Sequence, residues 1–179
     1  MLKRESTEAW RDSRTQMAGK TGLWILMLTI IILFGTLTLA FLVSARKGVE
    51  LDLPWIFYGN TIFLLISSLM IHRSMQSEGE IRRRQMMISL GMGLLFLIGQ
   101  AFAWFLLIQS GMYFTGSGRE ASYVYLLSGL HGLHILAGLA FMLYVYQKRA
   151  FGHRLEMAVF FWHFLGILWL FLLMILSMP

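Results

Sequence analysis

The sequence predicts an all-α integral membrane protein, a bundle of five transmembrane helices. Three observations carry this reading. Hydrophobic residues make up 58% of the 179-residue chain and charged residues only 13%, against about 45–50% and about 25% in a soluble domain. The apolar residues fall into five blocks, each close to the ~20 residues that cross a bilayer as a helix. Lys and Arg gather at one alternate set of block ends, as they do on the cytoplasmic side of membrane proteins.

The first block, Gly22–Val43, contains no charge at all. It is longer than the apolar region of a signal peptide and is expected to span and to be kept. Residues 1–21 form a polar N-terminal tail of mixed charge, with Trp10 placed for a short helix at the membrane surface. The second block is Pro54–Ile71, and its proline stands at a helix start, where a missing N–H costs nothing. Met86–Ile108, Ala121–Tyr146 and Met157–Met178 complete the set. Membrane strands are excluded, because they alternate in polarity and these runs do not. Residues 22–179 are thus read as one five-helix membrane domain.

The net charge is +6. Its distribution speaks for topology and against nucleic acid, because the cations flank apolar blocks and build no basic folded surface. Lys3, Arg4, Arg11, Arg14, Lys20, Arg73, Arg82, Arg83, Arg84, Lys148, Arg149 and Arg154 share one side; Arg46, Lys47 and Arg119 lie on the other. Twelve against three predicts a cytoplasmic N-terminus and an outside C-terminus. The chain has no cysteine, which excludes a disulfide framework, a thiolate zinc site and a cysteine-ligated iron–sulfur cluster.

Polar groups inside a membrane are costly and mark places of interest. His131 and His134 in the fourth block are three residues apart and share a helix face. Glu156 and His163 in the fifth are two turns apart and share another. The two helices are antiparallel neighbours, so these four groups are expected to meet in one polar seam, with Arg154 beside it as a phosphate ligand for lipid. Three readings of the seam compete. A haem needs imidazoles at matched depth, whereas His163 and His134 differ by roughly 10 Å at 1.5 Å rise per residue. A carboxylate-bridged metal pair needs several Glu residues, and one is available. The third reading is a structural seam that locks two helices and touches lipid. The glycines of the third and fourth blocks (Gly91, Gly93, Gly99, Gly129, Gly132, Gly138) and the pair Trp162 and Trp169 read as packing surface.

The run Ser128-Gly129-Leu130-His131-Gly132-Leu133-His134-Ile135 resembles a signature of subunit III of cytochrome c oxidases. Glu156, then Phe161-Trp162-His163-Phe164, then Trp169-Leu170-Phe171 is similar to that family's last helix. Asn60-Thr61 with Ser67 and Ser68, and Gly99-Gln100, are weaker matches upstream. The resemblance runs from about Gly22 onward and is to the five-helix type, which lacks the first two helices of seven-helix members. It implies a non-catalytic accessory subunit of an aerobic haem–copper oxidase in a bacterial inner membrane. Such a subunit packs on subunit I and binds phospholipid, while haem and copper reside in partner subunits and no cofactor in this chain. It also implies a C-terminus outside, in agreement with the charge count. Two departures stand out: no acid occurs in Thr29–Leu33, where many members carry a buried glutamate, and Gly166 stands where many have an acid. Five-helix relatives also accompany nitric oxide reductases, which is the alternative host. A small transporter is a further alternative, disfavoured because no chain of buried acids crosses the membrane.

Overall fold

A computed structural model describes the backbone of residues 2–44, 54–115 and 119–177, with the side chains of 2–15 and 119–120 outside that description. Five helices follow one another: α1 (Leu2–Ser44), α2 (Ile56–Gln76), α3 (Gly79–Gln109), α4 (Arg119–Gln147) and α5 (His153–Leu176). All five are long and apolar enough to cross a membrane. The chain is a multi-pass membrane protein, and its five helices fall on the five predicted blocks, with Pro54 and Trp55 ahead of α2 and Ser177 beyond α5.

The helices overrun the apolar blocks at their polar ends. α1 continues back through the polar segment to Leu2 as one helix of 43 residues, because no proline interrupts that segment. At 1.5 Å per residue it measures ~65 Å, about twice the hydrocarbon thickness. The surface placement expected of Trp10 lies outside the described residues. α3 likewise begins at Gly79, two turns before Met86. Pro54 stands just ahead of α2, and its carbonyl accepts the Phe57 N–H at 3.0 Å.

Two turns share one terminating device. At the end of α3, Gly111 has φ +81°, and Met112 N–H reaches back to Leu107 O at 3.0 Å. At the end of α4, Arg149 has φ 51°, and Ala150 N–H reaches Val145 O at 3.1 Å. Both are Schellman ends, in which a left-handed residue lets the chain cap its own last carbonyls. Glycine fills that position without cost in one turn; in the other an arginine does.

α5 is the central element. It packs on α1, α2 and α4, while α2 and α3 form the tightest pair. Among the described residues α1 and α2 each meet α5 but not one another. Small residues permit the close approaches. A Cβ on Gly93 would lie 2.7 Å from Leu139 Cδ2 and 2.9 Å from the Trp162 ring, and one on Gly99 would strike the Asn60 amide. These contacts explain why the two glycines sit where they do on α3.

Candidate functional site

One ring from each helix meets in the centre of the bundle. Phe34 from α1, Phe57 from α2, Phe96 from α3, His131 from α4 and Trp169 from α5 are all buried. The His131 imidazole stacks on the Trp169 indole at 5.1 Å between centroids and 24° between planes. Phe96 meets both edge-on, at 6.0 Å from His131 and 5.2 Å from Trp169. Phe57 stacks on Trp169 at 6.2 Å, and Phe34 stands edge-on to His131 at 6.5 Å. Edge-to-face and offset pairs of this kind add about 0.5–1.5 kcal/mol each beyond area burial.

Hydrogen bonds tie the aromatic cluster to α2 and α3. Trp169 Nε1 donates to Thr61 Oγ1 at 3.0 Å. Asn60 Nδ2 donates to Phe96 O at 2.8 Å. Lower on the same pair, Ser67 Oγ donates to Ser89 O at 2.7 Å and Ser89 Oγ to Ser67 O at 2.9 Å. Two hydroxyls thereby clip α2 to α3, which accounts for their tight packing. His131 is the exception: it is fully buried, and neither ring nitrogen has a hydrogen-bond partner among the described residues. What holds it is ring contact.

The five residues singled out in the sequence do not gather in one seam between α4 and α5. His131 alone faces α5 across that contact. His134 turns toward α1: its Nδ1–H bonds its own helix at Leu130 O, 2.7 Å away, and its ring meets Phe34 at 5.6 Å. His163 faces α2, with Nδ1 2.5 Å from Ser68 Oγ and its ring 5.4 Å from that of His72. Glu156 is 61% exposed and lies 3.7 Å from His153 on its own helix. Arg154 is exposed, donates to Tyr144 OH at 2.8 Å and lies over the Tyr144 ring. Glu156 and His163 do share a face, as two-turn spacing requires, but it is the face toward the cleft between α1 and α2. Trp162, Leu165 and Trp169 occupy the face that closes the bundle.

Two residues of α2 join this arrangement: Ser68, which the sequence marked only as a weak family match, and His72, which it did not single out. Ser68 and His72 are one turn apart on α2, and both line the α2–α5 contact beside His163. Their i,i+4 spacing at the end of the second apolar block was the available signal.

The end of the bundle at the α2–α3 and α4–α5 turns is a belt of cations set on aromatic rings. Arg82 Nε donates to Ser74 O and Ser77 O, at 3.1 and 2.7 Å, and its guanidinium lies 5.3 Å from the Phe151 ring centre. Arg83 donates to Tyr146 OH at 3.2 Å and lies over that ring. Such guanidiniums stay charged, and their donors suit phosphate. Among the described residues no three His, Asp or Glu side chains come together as metal ligands.

The sequence model of the family described as cytochrome c oxidase subunit III matches residues 4–178. Three proteins named cytochrome c oxidase subunit 3 are among the relatives. That of Cyanidium caldarium is 29% identical over 94% of this chain and 70% of its own length. That of Synechocystis sp. is 27% identical over 87% of this chain and 69% of its own. That of Thermostichus vulcanus is 28% identical over 87% of this chain and 84% of its own. With nearly the whole chain matched, this protein belongs to the cytochrome c oxidase subunit III family.

Proposed function

We propose that this accessory subunit III of a haem–copper oxidase stabilises the redox-bearing subunit I by packing on it, and that it holds phospholipid while doing so. The ring cluster carries this reading. His131, the most deeply buried titratable side chain of the bundle, is committed to stacking on Trp169. The central ring is thus used for packing, with haem and copper assigned to partner subunits. A rigid bundle with apolar outer faces on α1 and α3 suits lateral packing against another membrane subunit.

Phospholipid belongs at the basic end. Arg154, exposed and braced by Tyr144, presents a guanidinium to the headgroup layer, where a phosphate accepts charge-assisted bonds. The same belt is assigned to the cytoplasmic face of a bacterial inner membrane, with the N-terminus inside and the C-terminus outside.

The test is a tag on this chain and purification from native membranes, followed by an optical spectrum and metal analysis. Haem and copper are expected to co-purify with the tagged chain and to stay with the partner subunits when this chain is stripped away. A stripped chain that kept a stoichiometric Soret band would overturn the accessory reading. Co-purification of a nitric oxide reductase in place of an oxygen-reducing enzyme would change the host.

A further inference from the structure

α2 and α5 run antiparallel, with Thr61 level with Trp169 and Ser68 level with His163. His72 lies one turn beyond Ser68, nearer the end of the bundle. Helix side chains lean toward the N-terminus of their own helix, so in this pair His72 and His163 lean toward each other. Both line a cavity of about 520 Å³, and their rings stand 5.4 Å apart between centroids. The ring planes are inclined by 58°, so the two imidazoles do not stack.

The pair has ring nitrogens to spare. His163 Nδ1 lies 2.5 Å from Ser68 Oγ. With Nδ1–H donating to this hydroxyl, Nε2 keeps a lone pair, and Nε2 makes no hydrogen bond among the described residues. Neither nitrogen of His72 is hydrogen-bonded among the described residues. An imidazole held through one nitrogen and open at the other is the usual posture of a metal-binding histidine. Two imidazoles that share one ion at about 2.0–2.1 Å have centroids on the order of 5–6 Å apart, and this pair stands at that separation.

Spacing supplies a third donor. Met75 is three residues beyond His72, where helix neighbours meet, and it lines the same cavity. Glu156 is two turns from His163, ~10 Å along α5, and its carboxylate lies 3.7 Å from His153 instead. Two imidazoles and a thioether make a soft set, which selects copper(I) over harder ions. Charge points the same way. Lys20 and Glu156 line the cavity with opposite formal charges and so add little net attraction for a cation. Trp24 and Phe160 make much of the wall apolar, and a singly charged ion costs less to desolvate there than a divalent one. We infer that His72, His163 and Met75 bind one exchangeable copper(I) ion. The ion ties α2 to α5 and is separate from the copper assigned to partner subunits.

The test uses the purified oxidase complex, washed with chelator and kept anaerobic. It is titrated with copper(I) buffered by a competing chelator, then in a fresh sample with silver(I), a redox-silent ion of the same softness. Bound metal is counted by elemental mass spectrometry. Resident copper is common to all samples, so the difference between wild type and His72→Leu counts this site. One equivalent of either ion is expected in that difference. The hydrogen-bond partner of a ligating histidine is typically worth about 10–100-fold in metal affinity, so Ser68→Ala is expected to raise Kd by about tenfold or more. Met75→Leu conserves volume, removes a direct donor and is expected to raise Kd at least as much. Equal binding by wild type and His72→Leu overturns the site. A difference that appears with zinc at lower free concentration than with copper(I) overturns the choice of ion. If His72→Leu sheds the subunit, Met75→Leu decides, and an unchanged Kd there overturns the inference. Subunit retention and turnover are read on the same samples, so failure here leaves the accessory role standing.

Discussion

The Trp169 indole lies stacked on the His131 imidazole, 5.1 Å between ring centres, and its Nε1–H is bonded to Thr61 of a third helix. This single side chain joins α2, α4 and α5 at the centre of the bundle.

Trp169→Ala is therefore expected to be the most damaging single truncation in the chain. Removing a buried Trp costs about 3–5 kcal/mol in a packed core. The loss is read as a lower melting temperature of the purified complex and as shedding of this subunit in detergent. His131→Phe keeps a ring against the indole and removes two unpartnered nitrogens, so it should leave both readings close to wild type. Loss of initial oxidase turnover in His131→Phe, with the subunit still bound, would show that the imidazole handles protons and is not there for packing.

Gly93→Ala places a methyl 2.7 Å from Leu139 and 2.9 Å from Trp162. Overpacking of this sort typically costs about 1–3 kcal/mol, although alanine itself favours helix over glycine by about 1 kcal/mol. Gly91→Ala, where nothing lies within 4 Å of the added carbon, keeps the helix gain alone. Thermal unfolding should separate the two variants in opposite directions. Equal effects would mean that the α3–α4–α5 contact yields easily around Gly93.

His163→Ala and Ser68→Ala each break one bond between α5 and α2. Interhelical hydrogen bonds in membranes average about 0.6 kcal/mol. Each change should thus loosen the subunit without destroying the complex. Initial turnover should match wild type while activity decays sooner during sustained catalysis. In a double-mutant cycle the pair should couple by about the same 0.6 kcal/mol. An initial rate abolished by His163→Ala, with haems and subunit retained, would make this contact catalytic.

Topology is checked with reporters. A periplasm-active reporter fused after Pro179 should be active, and one inserted in the α2–α3 turn at Ser77 should not. Moving cations should matter accordingly: neutralising Arg82, Arg83 and Arg84 together weakens the bias that sets orientation. A cytoplasmic C-terminus in the unaltered chain would refute the orientation.

Much of the fold was legible because membrane insertion is read from short stretches of chain. Block length against bilayer thickness gives five spans. The helix ends were less legible. Gly79 to Gln85 and residues 2 to 21 are polar, and hydropathy is silent about whether a polar segment continues a helix. The site was half legible. Spacing put Glu156 and His163 on one face, and His131 near His134, but spacing does not say which neighbour a face meets.

By itself the sequence determined that this chain is a five-helix membrane protein with subunit III motifs on its fourth and fifth helices, since those properties follow from length, polarity and residue order. The tertiary structure alone decided that His131 stacks on Trp169, that His134 turns to Phe34 on α1, and that His163 pairs with Ser68 and His72 on α2. The physical reason is the central place of α5. A helix packed on three others has three inward faces, and their partners are chosen by fits such as that of the Trp162 ring against Gly93 and Gly138. That fit depends on all five helices at once, and no spacing along one helix contains it.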